Sequence, residues 1–98
     1  MNSPAQSPTR HIVDWFANEM EAKLTLHREK GGPDKWRNER PEDMLGRILD
    51  EWNELHNAIL TGDPVKIAAE AADVANFAMI VADIFNRPNL ASNSVWLS

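Results

Sequence analysis

The sequence predicts an all-α protein, an antiparallel helical bundle of three main helices plus a C-terminal tail, and three observations carry that expectation. Apolar residues recur every three or four positions through three long stretches. Pro, Gly, Asn and Asp punctuate the chain where those stretches meet. Strand-like alternation of apolar and polar residues is missing throughout. At 98 residues, 43% hydrophobic and 26% charged, the chain suits one folded domain.

Residues 1–9, with Pro4 and Pro8 among small polar neighbours, read as a flexible lead-in to a single domain over 10–98. Thr9 is placed to cap a helix from about Arg10 to about Lys30. Its face carries Ile12, Phe16 and Met20 at four-residue intervals, broadened by Val13, Trp15 and Leu24. Gly31-Gly32-Pro33-Asp34 ends that helix, and Lys35 to Arg40, polar apart from Trp36, reads as a loop. Pro41 opens a second helix, with Glu42 and Asp43 in the first turn where the helix dipole favours anions. It runs to about Leu60, before Thr61-Gly62. Asp63-Pro64 then supplies an N-cap and a first helical position for a third helix, expected to stop near Phe85 at Asn86-Arg87-Pro88. The tail from Asn89 to Ser98 offers Leu90, Val95, Trp96 and Leu97 for docking on the body.

Charge and composition narrow the function classes. A net charge of −5 argues against a protein built to grip nucleic acid or an anionic membrane. The absence of cysteine excludes disulfides, thiolate metal sites and cysteine nucleophiles, and makes a cytoplasmic location the expectation. The longest apolar run, Phe77 to Ala82, is far too short to cross a bilayer, and the N-terminus has no apolar core of a signal peptide. The charges are also segregated. Lys23, Arg28, Lys30, Lys35, Arg37 and Arg40 crowd the region around the Gly pair, whereas from Glu42 to Asp83 the only bases are Arg47 and Lys66.

Several acids occupy telling positions. At about 100° per residue, Leu45, Ile48, Trp52, Leu55 and Ile59 form one stripe of the second helix, with Glu51 on its shoulder and Glu54 farther round. In the third helix Ile67, Ala71, Val74, Phe77, Ala78, Val81 and Phe85 form the apolar face, Glu70 projects from within it and Asp73 lies at its edge. A carboxylate on an apolar face either takes up a proton or needs a compensating charge. Two antiparallel helices joined at Thr61-Gly62-Asp63 bring Glu51 and Glu54 near Glu70 and Asp73, each pair about two turns from the connection. Four converging carboxylates suit a divalent cation with all-oxygen ligands, Mg²⁺ or Mn²⁺. The bland alternatives are a solvated face for Glu51 and Glu54, and a salt bridge from Arg47 or Lys66 to Glu70.

Glu51-x-x-Glu54, fifteen intervening residues and Glu70-x-x-Asp73 resemble the metal-binding signature of the MazG-like all-α nucleoside triphosphate pyrophosphohydrolases. The flanking Leu49-Asp50-Glu51-Trp52-Asn53-Glu54-Leu55 and the run from Ala69 to Ile80 look similar to small members of that family, of the phage or gene-cassette type. So does Lys30-Gly31-Gly32 followed by Trp36. The resemblance implies that Glu51, Glu54, Glu70 and Asp73 hold Mg²⁺, and that a (deoxy)nucleoside triphosphate is hydrolysed to a monophosphate and pyrophosphate, in pool sanitation or nucleotide balance. One of the four would serve as general base. The resemblance also implies that Asn76 contacts the nucleotide. The loop offers Lys30, Lys35 and Arg37 as phosphate contacts and Trp36 as a stacking platform for the base. Trp15, Phe16 and Trp52 read as packing residues, as do Met20 and Met79.

The third helix is apolar around most of its circumference, which three helices of one chain cannot cover, so a partner subunit is expected. The resemblance implies a homodimer or homotetramer. The competing reading is a non-catalytic helical module that senses nucleotide or binds a protein.

Overall fold

The computed structural model describes residues 7–26 and 35–91, with backbone alone for 87–91. Within them the protein is all-helical: α1 (Pro8–Leu26), α2 (Pro41–Thr61) and α3 (Pro64–Ala91). None of the described helices is long and apolar enough to cross a membrane.

The helix boundaries follow from local chemistry. Ser7 Oγ accepts the Arg10 N–H at 3.1 Å, and the Ser7 carbonyl accepts the His11 N–H at 3.1 Å. Ser7 is therefore the N-cap and Pro8 the first helical residue, where its fixed φ and missing N–H do no harm. This corrects the expected Thr9 cap by two residues and takes Pro8 and Thr9 out of the lead-in. Lys30 and Gly31-Gly32-Pro33-Asp34, where α1 was expected to end, lie outside the described residues, as do residues 92–98 of the tail. Lys35 to Glu39 form a short helical turn and not an open loop: Asn38 N–H reaches the Lys35 carbonyl at 3.1 Å and Glu39 N–H the Trp36 carbonyl at 3.0 Å.

α2 starts as expected at Pro41, from an extended Arg40 whose carbonyl accepts the N–H groups of Asp43 and Met44. It ends at Gly62, in the left-handed region at φ 72°, whose N–H caps the Ile59 carbonyl at 3.1 Å. A Cβ there would touch nothing within 4 Å, so glycine is required by the backbone conformation and not by crowding. Asp63 Oδ1 then accepts the Val65 N–H at 3.0 Å, capping α3 as its sequence indicates. At its far end α3 departs from expectation, running through Pro88 to Ala91. A proline removes one N–H and crowds the carbonyl four residues earlier, at about 3 kcal/mol in a helix interior. The helix nonetheless continues three residues past Pro88, so the cost falls in its last turn.

α3 packs against both other helices, forming a hairpin with α2 and holding α1 on another side. Among the described residues the core is thin: Met44, Ala58, Ala72 and Ile80 are the buried apolar ones, and none of the large side chains is fully buried. Ala58 and Ala72 are completely enclosed, which fits close approach of the two hairpin helices. Asn76 is buried as well, and its amide nitrogen donates to the Met20 carbonyl at 3.0 Å, tying α3 to α1.

The packing corrects two faces read from hydrophobicity. On α2 the inward face carries buried Met44 and Ala58 with half-buried Ile48, Glu51 and Leu55, whereas Leu45, Trp52 and Ile59 are each 55% exposed. On α3 the deepest positions are Ala72, Asn76 and Ile80, while Ala78 and Phe85 face outward. Trp15 is also exposed, not packed, and Phe16, Met20 and Met79 are half-buried. Hydrophobicity marks the faces that gain from burial, and one chain buries only some of them.

Candidate metal centre and adjoining cleft

The hairpin aligns the acids. Glu51 precedes Gly62 by eleven residues and Asp73 follows it by eleven, while Glu54 and Glu70 stand eight residues away on either side. In an antiparallel pair of helices with equal rise, residues equidistant from the turn lie at the same height. Glu51, Glu70 and Asp73 offer carboxylate oxygens that all lie within 4.8 Å of one another, and all three side chains are half-buried. Glu54 is exposed and stands outside this group of three, though its charge is felt by both Glu51 and Glu70. The expected quartet is thus a triad with a fourth acid at its rim.

Burial pushes the Glu51 carboxyl above the usual carboxylate range, and the neighbouring charges of Asp73, Glu70 and Glu54 push it further, against a smaller opposing pull from Arg47. Glu70 is likewise raised by burial, then by a hydrogen bond and charge repulsion from Asp73, with Lys23 opposing. Lys23 reaches in from α1, its Nζ 3.2 Å from Asp73 Oδ2. The Lys23 ammonium and the more distant Arg47 guanidinium against three acids leave the cluster short of positive charge. Among the described residues, neither Arg47 nor Lys66 forms an ion pair with Glu70, so the salt bridge that a purely structural cluster called for is not the one formed.

A cleft of about 270 Å³ adjoins the triad. Leu24, Met44, Phe77 and Ile80 make its apolar walls, Glu51 and Asp73 its acidic end, and Lys35, Trp36, Glu39 and Arg47 complete the lining. The turn over it is fastened by Asp83. Trp36 Nε1 donates to Asp83 Oδ2 at 2.8 Å, and Arg37 donates through Nε to Oδ2 at 2.9 Å and through Nη2 to Oδ1 at 3.2 Å.

The sequence-predicted contacts therefore divide. Trp36 and Lys35 line the cleft, Arg37 grips Asp83, and Lys30 lies outside the described residues. Asn76 turns its amide toward α1 and is not part of the cleft lining; its Oδ1 is buried without a hydrogen-bond partner. Lys23, Arg47 and Asp83 belong to the site region but were not among the sequence-predicted site residues, Arg47 having been weighed only as a salt-bridge partner of Glu70. For two of them a signal existed: Lys23 lies on the Met20–Leu24 face of α1, and Asp83 interrupts an apolar helix as Glu70 does.

Three hard oxygen donors from two rigid helices, beside a cleft with apolar walls and cationic side chains, can hold a divalent cation next to an organic anion. Comparisons with protein-family models, with curated proteins and with solved structures return no match to this chain.

Proposed function

We propose that this protein is a Mg²⁺-dependent nucleotide pyrophosphohydrolase that converts (deoxy)nucleoside triphosphates to monophosphate and pyrophosphate. The observation that carries the reading is the convergence of Glu51, Glu70 and Asp73 within 4.8 Å, short of positive charge and with Glu51 and Asp73 lining a cleft. The motif resemblance to MazG-like enzymes supports the same conclusion. Glu51, Glu70 and Asp73 would hold the cation, with Glu54 at the rim available to a second ion or to an attacking water; Mn²⁺ fits the same donors. Such a cation supplies charge neutralisation for the phosphates and an acidified water. The chain's own contribution is positional: the hairpin fixes the acids, the apolar walls exclude water and Trp36 offers a ring to the base. Pyrophosphate release from a panel of nucleotides with Mg²⁺ tests this directly. No turnover of any nucleotide, or turnover indifferent to Glu70→Gln, refutes it.

The exposed α2 stripe of Leu45, Leu49, Trp52 and Ile59 supports a homodimer or homotetramer as the working unit. Light scattering on wild type and on Trp52→Glu tests that assembly, and a monomeric wild type rejects it. The Lys23–Asp73 ion pair favours a second reading, a non-catalytic nucleotide-sensing or protein-interaction module whose acids are balanced internally. Calorimetric nucleotide binding without product formation would select it.

A further inference from the structure

The cations around the cleft are not equally committed. Lys23 is engaged by Asp73, Arg37 by Asp83 and Arg40 by Glu42. Arg47 is different. Its guanidinium carbon lies over the Phe77 ring, 5.0 Å from the centroid, and among the described residues it makes no ion pair. A guanidinium carries five N–H donors, more than contact with a single ring can occupy, so donors remain for a ligand. Arg47 stands one helical turn before Glu51, on the same side of α2, and both line the cleft. The ring seat limits the side chain's freedom, so less is lost when it engages a ligand.

We propose that Arg47 is a phosphate-binding residue, taking the polyphosphate of the ligand whose metal-bearing end sits at Glu51, Glu70 and Asp73. The proposal rests on the metal-site reading above and adds a residue to it. A planar fork beside a cation site matches an oligophosphate, whose successive groups can reach metal and arginine together. The charge of Arg47 opposes cation binding at neighbouring Glu51, and a bridging phosphate would satisfy both.

The test uses full-length protein, Mn²⁺ alone followed by paramagnetic resonance, and inorganic triphosphate with Mg²⁺ followed by calorimetry, so that no base preference enters. Arg47→Met should weaken triphosphate binding by roughly tenfold or more, the size of one lost charge-assisted contact. It should bind Mn²⁺ at least as tightly as wild type. Arg47→Lys should restore part of the loss, and the defect should be smaller for orthophosphate than for triphosphate. If Arg47→Met keeps wild-type triphosphate affinity while wild type holds Mn²⁺, the inference falls and the metal reading stands. If Arg47→Met loses Mn²⁺ and triphosphate together, its role is structural and the inference again falls. A wild type that holds no Mn²⁺ overturns the metal reading and the inference with it.

Discussion

Asp73 and Asp83 sit on the same helix, ten residues apart, in opposite circumstances. Asp83 is saturated: an indole and a two-pronged guanidinium fill both of its oxygens, and the result is a turn fastened over the cleft. Asp73 has one lysine and two acidic neighbours whose charges oppose its own. Local stability accounts for the first arrangement and argues against the second. The contrast sets an acid that holds the fold beside one whose surroundings repel its charge, and the cation proposed above would relieve that repulsion.

The largest expected effect lies on the frustrated side. Glu51→Gln, Glu70→Gln and Asp73→Asn should each reduce pyrophosphate release by more than the roughly 100-fold that outer partners of a metal site contribute. Circular dichroism of these variants should remain helical; full activity in any one removes that residue from the site. Next comes the saturated side. Asp83→Asn leaves a half-buried arginine and indole short of an acceptor, at about 1–3 kcal/mol. A melt should show it as a Tm lower by roughly 4–8 °C per kcal/mol. Asp73→Asn in metal-free buffer should leave Tm unchanged or higher, and equal losses in the two variants would erase the contrast.

A smaller effect concerns pH. Glu51 and Glu70 have carboxyl groups raised above their unfolded range, so between the two ranges the folded state binds more protons than the unfolded one. Their contribution to stability is therefore full at low pH and declines as pH rises through the raised values. Metal-free protein should show this decline in melts, and the Glu51→Gln/Glu70→Gln double variant should flatten it. Mg²⁺ should restore most stability at the alkaline end, where the carboxylates are free of protons. The smallest effect is expected at the rim: Glu54→Gln should lower turnover less than Glu51→Gln, and an equal loss would place Glu54 among the inner ligands.

Much of this was legible in the sequence, for physical reasons that also explain the misses. The hairpin could be read because Pro41, Gly62, Asp63 and Pro64 each impose a local conformation that tertiary packing does not override. The acids could be read because a charge on an apolar arc demands compensation. The buried side of α2 could not: Leu45, Trp52 and Ile59 are as hydrophobic as Met44 and Leu55, and only the neighbour decides which set is covered. Arg37 looked like a free loop cation because its partner Asp83 lies 46 residues away. Pro88 looked like a stop because its local penalty is real, yet α3 continues three residues past it.

Gly62 has a consequence for how such a chain can vary. Because the acids are equidistant from it, the two-residue link between α2 and α3 acts as a ruler. One residue inserted in either helix between Gly62 and its acids would turn those carboxylates by about 100° and shift them by about 1.5 Å along the axis. Surface connections usually accept insertions readily, yet here a matching insertion on the other side of the turn would restore only the equal heights and would leave both sets of acids turned away. Indel scanning would find a forbidden zone from Glu51 to Asp73, bounded by the outermost acids of the triad and centred on a glycine eleven residues from each.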